Sequence, residues 1–143
     1  MTKLYERNGR RFVSAIDHTG HYLNSDYTLS EERTENSIAV CVLHTVKEMV
    51  FCELNDNPPC LNWDDAKEYC SKKFLGNGKL PEIHELLTVK NCFKNIFPRF
   101  GVIWSNTEYY HDYARVLISG YGDVDIKDKD VNYQVLAFLT VDL

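Results

Sequence analysis

The chain of 143 residues lacks several features that would assign it to a class at once. It has no apolar run near the roughly 18 residues that a membrane-spanning helix needs. It has no basic run longer than Arg10-Arg11, and acidic residues outnumber Lys and Arg by 21 to 16, so we expect no binding to nucleic acid. The opening MTKLYERNGRRF lacks the apolar stretch of a signal peptide. We therefore expect a protein made in the cytosol and not inserted into a membrane.

Motifs of catalysis and metal binding are also missing. The sequence contains no GxSxG, no phosphate-binding loop and no dinucleotide fingerprint. His84-Glu85 begins like an HExxH zinc site, but Thr88 stands where the second histidine belongs. The aspartates between 123 and 130 depart from the spacing of a calcium loop, which favours a solvated hairpin tip. We expect no enzyme, no metal and no cofactor, and we expect His84 and Glu85 to be solvent-exposed helix residues.

The five cysteines are an odd number and form no CxxC pair. They are Cys41, Cys52, Cys60, Cys70 and Cys92. Segments such as AVCVL and MVFCEL are apolar, and a reduced thiol there acts as a small hydrophobic side chain. We expect buried free thiols, and a bridge from Cys60 to either Cys52 or Cys70 is the alternative.

Length and composition predict one folded domain over residues 1–143. Leu, Ile, Val and Phe supply 40 of the 143 residues, which is too many for intrinsic disorder. Residues 1–36 mix short apolar pieces with polar stretches such as NSDYTLSEERTENS, which indicates a hairpin or an extended arm. We expect this segment to contact another chain, for example a copy of the protein itself.

The middle of the chain changes from strand patterns to a helix pattern. SIAVCVLH (37–44) and EMVFCEL (48–54) are rich in β-branched residues and predict a hairpin. LNWDDAKEYCSKKF then predicts a helix over about 62–73, with Asn62 as its N-cap and acidic residues in its first turn. The apolar stripe of this helix, which we expect to face the core, is Trp63, Ala66, Tyr69, Cys70 and Phe74.

A second helix follows the glycines of GNGK, which end the first one. It is predicted over about 81–90, with Pro81 in its first turn. Its inward-facing residues are Ile83, Leu86 and Leu87. A short third helix is predicted over about 92–97, ending before Pro98.

From Gly101 onward the pattern is that of strands. In RVLI and DVDI the apolar residues Val116 and Ile118, and Val124 and Ile126, alternate, which predicts a hairpin with one buried face. The last run, over about 134–141, is apolar on both faces and is predicted to be a central strand of a small antiparallel sheet. The fold class is therefore α+β. The large residues that we expect in its core are Trp63, Phe74, Leu86, Trp104, Val116 and Phe138.

The order of these motifs resembles a known family. WDDAKEYC (63–70), LPEIHEL (80–86) and WSNT (104–107) match the patterns W-x-x-A-x-x-Y-C, L-P-x-x-x-E-L and W-S-S-T. They are similar to the bacterial and phage domain family of C-type-lectin-like fold, which includes phage tropism determinants and the variable proteins of diversity-generating retroelements. The resemblance covers residues 61–143. Departures from the family pattern are Lys79, Glu82 and Asn106.

The resemblance implies a C-type-lectin-like fold, with two main helices packed on small twisted antiparallel sheets. Calcium-dependent sugar binding does not carry over, because the Glu-Pro-Asn or Gln-Pro-Asp triplet and the Trp-Asn-Asp triplet of animal lectins are absent. In this fold the loops and short strands after the W-S-S-T strand form the binding face. The residues that we expect to bind a ligand are Asn106, Glu108, Tyr109, Tyr110, His111, Asp112, Tyr113 and Tyr121.

This segment has the composition of a recognition surface, because tyrosine gives a large contact area and Asn and Asp give adaptable hydrogen bonds. The alternative is that the tyrosines only cover the sheet, with their rings packed and their hydroxyls in water. We expect a non-enzymatic binding or structural module of a bacteriophage virion, in its tail, fibre or capsid decoration. Its partners would be other virion proteins and a host-surface glycan or protein. Alternatives are a bacterial cytoplasmic protein of the same fold that binds a protein, a purely structural particle protein, and an enzyme with an unrecognised site.

Overall fold

The computed structural model describes residues 2–3, 20–45, 48–93, 95–98 and 101–142. Within these ranges it has eleven strands and two helices. In chain order they are β1 (Thr2–Lys3), β2 (Tyr22–Asn24), β3 (Thr28–Ser30), β4 (Ser37–Thr45), β5 (Glu48–Glu53), β6 (Cys60–Leu61), α1 (Trp63–Ser71), α2 (Ile83–Cys92), β7 (Val102–Tyr109), β8 (Tyr113–Ile118), β9 (Asp123–Asp128), β10 (Tyr133–Gln134) and β11 (Phe138–Asp142). The α+β class predicted from the sequence is confirmed.

The described strands form two sheets. The larger has the order β1-β3-β2-β4-β5-β11, and all of its pairs are antiparallel. The smaller has the order β6-β10-β7-β8-β9. Here Gln134 of β10 pairs in parallel with Ile103 of β7, so this sheet is mixed and not purely antiparallel as predicted. The hairpin predicted over 37–54 is confirmed as β4 and β5.

Residues 20–36 form a hairpin that belongs to the larger sheet. β2 pairs with both β3 and β4, and the turn between β2 and β3 contains Tyr27 with a φ of 62°. Leu23 and Leu29 of this hairpin are buried in the core. For these residues the predicted hairpin is therefore correct and the extended arm is wrong. Of the rest of the predicted arm, β1 pairs with β3, while residues 1 and 4–19 lie outside the described residues.

The first helix is close to its prediction. The Asn62 side chain accepts a hydrogen bond from the Asp65 backbone N–H at 2.9 Å, as expected of an N-cap. α1 ends at Ser71, two residues earlier than predicted. The two glycines that follow serve different purposes, since Gly76 has a φ of 82° while a Cβ on Gly78 would collide with a backbone carbonyl oxygen.

The second helix begins at Ile83, so Pro81 precedes it and does not lie in its first turn. It ends at Cys92, because Phe93 takes φ −139° and ψ 79°, outside the helical region. The predicted third helix is wrong. Described residues 95–97 form a turn, with the Ile96 N–H donating to the Phe93 carbonyl at 3.3 Å.

The C-terminal run does not form the predicted central strand. It is divided between the sheets, with β10 in the smaller one and β11 at an edge of the larger one. Beyond β11, the described residues add an isolated bridge between Lys79 and Phe138. The run is apolar on both faces because alternate residues enter different core clusters: Val135, Ala137 and Leu139 enter one, while Leu136 and Phe138 enter the other.

The core consists of two clusters, each containing one helix and residues from both sheets. Strand β8 shows the division, since Val116 packs in the cluster of α1 while Leu117 packs in the cluster of α2. The predicted burial of large residues is confirmed for Trp63, Phe74, Leu86, Trp104, Val116 and Phe138. In the described part of the chain no helix is long and apolar enough to cross a membrane.

The five cysteines, all among the described residues, are thiols outside any disulfide, which contradicts the predicted alternative of a bridge. Cys41, Cys52 and Cys70 are buried as expected, and burial raises the pKa of Cys70 to about 12. Cys60 and Cys92 are exposed, so their predicted burial is wrong. Cys60 lies in the edge strand β6, and Cys92 is the last residue of α2.

Candidate functional site

The WSNT motif lies in a bulge of strand β7. Between Trp104 and Glu108, three residues of β7 stand opposite the single Arg115 of β8. The Ser105 hydroxyl donates to the Arg115 carbonyl at 2.7 Å and accepts a hydrogen bond from the Thr107 N–H at 3.2 Å. A side chain therefore satisfies backbone groups where the ladder between the strands is interrupted.

The other two polar residues of the motif bind the start of α2. The Asn106 amide donates to one carboxylate oxygen of Glu82 at 3.1 Å, and the Thr107 hydroxyl donates to the other at 2.7 Å. The Thr107 hydroxyl also accepts a hydrogen bond from the Ile83 N–H at 2.9 Å. Asn106 was predicted to bind a ligand, but its side-chain amide is engaged inside the protein.

Both tryptophans join elements around this bulge. The Trp63 indole N–H donates to the Ser105 carbonyl, and the Trp104 indole N–H donates to the Leu61 carbonyl, each at 2.9 Å. The Trp104 ring also meets the Tyr133 ring edge-on, with centroids 5.2 Å apart. Both indoles are buried, so these bonds satisfy donors that water does not reach.

Lys129, from the loop after β9, supports the turn of the β7–β8 hairpin. Its ammonium lies 3.0 Å from the Glu108 carboxylate, donates to the His111 carbonyl at 2.8 Å and lies 4.1 Å from the centroid of the Trp63 ring. Its backbone N–H donates to the Asp112 carbonyl at 2.9 Å. The hydrogen bond from Lys129 lowers the pKa of the Glu108 carboxyl. The side chains of His111 and Asp112 remain exposed, while the backbone of the turn is held in place.

Three of the predicted tyrosines come together at this hairpin. Tyr109 and Tyr113 are direct partners across β7 and β8, so they share one face of the sheet. Tyr110 occupies the turn with a φ of 62°, and its ring meets that of Tyr109 edge-on, with centroids 4.8 Å apart. The exposed fractions of Tyr109, Tyr110 and Tyr113 are 38%, 76% and 43%. The structure thus forms an exposed aromatic cluster from residues adjacent in sequence.

The register of β8 and β9 adds three residues that the sequence analysis missed. Arg115 lies two residues beyond Tyr113 on the same face, and its guanidinium carbon is 5.5 Å from the centroid of the Tyr109 ring. Ile126 stands directly opposite Arg115, and Val124 lies on the same face two residues earlier. We define the tyrosine patch as the surface of Tyr109, Tyr110, Tyr113, Arg115, Val124 and Ile126.

The predicted burial of Val124 and Ile126 is wrong, since they are 38% and 37% exposed. Their alternation with polar residues is real, and the hairpin of β8 and β9 is formed as predicted. However, β9 is the edge strand, and α2 packs on the neighbouring strands β7 and β8. The side chains of β9 therefore extend the apolar face beyond the area next to the helix.

Tyr121 is exposed but lies apart from the tyrosine patch. It belongs to the turn between β8 and β9, at the opposite end of β8 from Tyr113. Since β8 has six residues at roughly 3.3 Å each, its two ends are far beyond hydrogen-bonding distance. The turn lies beside α2, because the Lys90 ammonium donates to the Ser119 carbonyl at 2.5 Å.

Glu85 was predicted to be exposed, and this is wrong. Its side chain is 1% exposed and is held by the Lys79 ammonium at 3.0 Å, the Glu82 N–H at 2.8 Å and the Thr140 hydroxyl at 3.3 Å. These donors make the buried carboxylate a structural link between α2 and β11. His84 is exposed as predicted. Among the described residues, no three His, Cys, Asp or Glu side chains are arranged to hold a metal ion.

A second group of polar residues, distant in sequence, meets near the end of α1. The Tyr69 hydroxyl donates to the Glu53 carboxylate at 2.9 Å, and the Lys73 ammonium lies 3.4 Å from the same oxygen. Burial and the nearby Glu53 raise the pKa of Tyr69. For Lys73, burial acts to lower the pKa, but Glu53 and Tyr69 together outweigh it and raise the pKa. Lys73 is therefore a cation at neutral pH.

The described geometry defines an α+β domain with two distinct surfaces, an open aromatic patch on the smaller sheet and a recessed charged group beside α1. No protein-family model matches the chain, and no curated protein matches it. Function is therefore inferred from the residues of these two surfaces.

Proposed function

We propose that this chain is a non-enzymatic binding module and that it recognises its partner through the tyrosine patch. The observation that carries the proposal is the exposure of two tyrosines and two aliphatic residues on one face of β7, β8 and β9, with exposed Tyr110 in the adjoining turn. Contiguous exposed apolar surface of this kind is typical of interaction sites. Tyrosine and arginine, which both occur in the patch, are also enriched among the residues that dominate binding energies.

The structure of the hairpin favours recognition because the patch is preorganised before a partner binds. Lys129 fixes the backbone of the turn, and the bulge of β7 is bonded to α2. A ligand therefore meets rings that are already positioned, which lowers the entropy lost on binding. The neighbouring side chains of His111 and Asp112, and of Glu108 beside them, supply polar groups that can orient a sugar ring or a protein segment.

The fold proposed for the module is the C-type-lectin-like fold. Two observations support it. The two tryptophans that carry the resemblance are buried: Trp63 donates to the Ser105 carbonyl of the WSNT strand, and Trp104, within that strand, donates to the Leu61 carbonyl. The Leu80-Pro81 pair is also buried, and the chain beyond the WSNT strand carries the exposed aromatic residues.

As in the sequence analysis, we propose that the module belongs to a bacteriophage virion and binds a host-surface glycan or protein. The five cysteines, none of which is in a disulfide, fit synthesis and assembly in a reducing cytosol. A bacterial protein of the same fold that binds a protein partner is the alternative. Mass spectrometry of phage particles purified from lysed cells that had expressed the chain distinguishes a virion protein from a bacterial protein. A virion component co-purifies with the particles in fixed stoichiometry.

A purely structural role is the second candidate, and one observation favours it. Tyr109 and Tyr113 are cross-strand neighbours, and Arg115 lies over the Tyr109 ring, so these contacts also stabilise the hairpin. The two functions differ in what the loss of the rings would change. Recognition requires a loss of binding at unchanged stability, whereas a structural role requires a loss of stability.

The test is binding of the protein to arrays of bacterial surface glycans and to intact bacterial cells. The variant replaces Tyr109, Tyr110 and Tyr113 with alanine, and Tyr121→Ala is the matched control because it removes an 81% exposed tyrosine outside the patch. We expect the triple variant to lose binding and the control to retain it, with similar melting temperatures for both. Equal binding by the wild type and the triple variant would refute the proposal.

A further inference from the structure

A cleft of about 390 Å³ opens between the larger sheet and the turn that follows α1. Its apolar walls are formed by Ile38 at the start of β4, Leu54 just after β5, and Phe74. Its polar lining consists of the charged residues Glu53 and Lys73 together with Ser37 and Asn55. Sites for small molecules have volumes of roughly 300 to 1,000 Å³ and combine apolar walls with a few polar groups. The size and lining of this cleft fall in that class.

The wall of the cleft that contains Phe74 is positioned by a left-handed backbone conformation. Phe74 and Leu75 have φ values of 53° and 58°, a left-handed conformation that residues with a Cβ adopt at an energetic cost. The turn continues through Gly76, with a φ of 82°, and brings the chain back against α1 at Gly78. This backbone holds the Phe74 side chain in the core cluster of α1, where it also lines the cleft.

The two charged groups of the cleft differ in their remaining capacity for hydrogen bonds. The Glu53 carboxylate is only 10% exposed, and donors from the protein approach both of its oxygens: the Tyr69 hydroxyl, the Ala137 N–H and the Lys73 ammonium. The Lys73 side chain is 43% exposed, and its ammonium has three N–H donors, of which Glu53 and Tyr69 engage two. Of the two charged groups, Lys73 therefore keeps a donor for a ligand, whereas Glu53 has little free acceptor capacity.

We infer that this cleft binds a small amphipathic carboxylate. Its carboxylate accepts hydrogen bonds from the Lys73 ammonium, and its apolar body lies against Ile38, Leu54 and Phe74. The remaining hydrogen-bond capacity selects the anion, since donors from the protein already approach both Glu53 oxygens, whereas the half-exposed Lys73 ammonium keeps an N–H for a carboxylate. None of these residues belongs to the tyrosine patch. A negative result at one site therefore leaves the proposal for the other site unchanged.

The test is a titration of the isotope-labelled full chain with sodium octanoate, followed by two-dimensional amide NMR. We expect saturable shifts concentrated at Ile38, Leu54, Lys73 and Phe74. The neutral analogue 1-octanol should bind about tenfold more weakly, because it cannot form the charge-assisted bond to the ammonium. Shifts that do not saturate, shifts centred on other residues, or equal affinity for octanol would overturn the inference.

Two variants and one control locate the interaction. Lys73→Met keeps the apolar stem and removes the charge, and should weaken octanoate binding about tenfold. Lys72→Met is the matched control, because the adjacent Lys72 pairs with Glu68 at 3.1 Å and does not line the cleft, so this variant should bind as the wild type does. If Lys73→Met does not fold, Leu54→Glu serves instead, since it places a repelling carboxylate on the half-buried wall. Octanoate binding by the folded variant at wild-type affinity refutes the site.

Discussion

The two ends of strand β7 differ in what their side chains bind. At the WSNT end, each of the four residues has a side chain hydrogen-bonded within the protein, to α2, to β8 or to the segment before α1. At the hairpin end, Tyr109 and the following Tyr110 expose their rings to solvent, and the support comes from Lys129 behind the turn. One strand thus combines a fixed base with an open surface.

The WSNT residues, on which the predicted resemblance rests, are therefore not the residues that we propose to contact a partner. The side chains of Trp104 to Thr107 hold the strand through hydrogen bonds within the protein, whereas the rings beyond them are open to solvent. Substitutions at the first end should therefore change the free energy of unfolding, and substitutions at the second end should change binding. The experiments below test whether stability and binding are controlled by different ends of the strand.

The largest effect is expected for Trp104→Ala. Trp104 is fully buried and donates to the Leu61 carbonyl, so the variant loses packing and leaves a cavity and an unpaired acceptor. We expect the free energy of unfolding to fall by about 3–5 kcal/mol, measured by urea denaturation. Tyr110→Ala, at the other end of the hairpin, should stay within about 0.5 kcal/mol of the wild type. Similar losses for both variants would contradict the separation.

A smaller effect is expected for Thr107→Val, which keeps the shape of the side chain and removes its hydroxyl. The change deprives Glu82 of one donor and the Ile83 N–H of its acceptor at the start of α2. We expect a loss of about 1–3 kcal/mol in the free energy of unfolding. Thr107→Ser retains the hydroxyl and should restore most of it. A Val variant as stable as the wild type would show that the motif does not hold α2.

A local effect is expected for Lys129→Met, which removes the ammonium behind the hairpin turn. Amide hydrogen exchange in residues 109–113 should accelerate while exchange in α2 stays unchanged, because the lost hydrogen bonds reach Glu108 and the turn, and the lost cation–π contact reaches Trp63 at the start of α1. The Glu108 pKa is lowered in the folded protein, so its contribution is present above the ordinary carboxyl pKa and is lost as the pH falls through the lowered value. NMR titration of Glu108 should return its pKa toward the ordinary value in the variant. Unchanged exchange at the turn would exclude a supporting role for Lys129.

Much of the fold was predictable because the signals were local. The N-cap at Asn62 and the apolar stripe of α1 gave its position to within two residues, and the β-branched runs gave the hairpin of β4 and β5. The errors fell where burial depends on distant elements. A glutamate in a helix, such as Glu85, is expected to face solvent. Its burial depends on contacts with Lys79 and Thr140, which lie outside α2 and appear only in the folded protein.

The candidate site was predictable only in part, for the same reason. The cluster of Tyr109, Tyr110 and Tyr113 is visible in the sequence because its members are adjacent. Ile126 lies next to this cluster because of the register between β8 and β9, and Tyr121 lies apart from it because β8 separates the two turns. Neither the register nor this separation can be read from the amino-acid composition of the segment. The cleft beside Lys73 combines three segments distant in sequence, so no pattern in any one of them indicates it.

The smallest effect is expected for the pair Tyr109 and Tyr113, and it decides between recognition and sheet cover. Directly opposite aromatic residues stabilise a hairpin by roughly 0.2–1 kcal/mol, and exposure of both rings places this pair at the lower end. A double-mutant cycle with Tyr109→Ala, Tyr113→Ala and the combined variant should therefore give a coupling free energy below about 0.5 kcal/mol in urea denaturation. If the tyrosines mainly cover the sheet, the coupling will approach or exceed about 1 kcal/mol. In the same variants, loss of either ring should weaken partner binding by about 2 kcal/mol, so a pair weakly coupled in stability but essential for binding would assign the hairpin end to recognition.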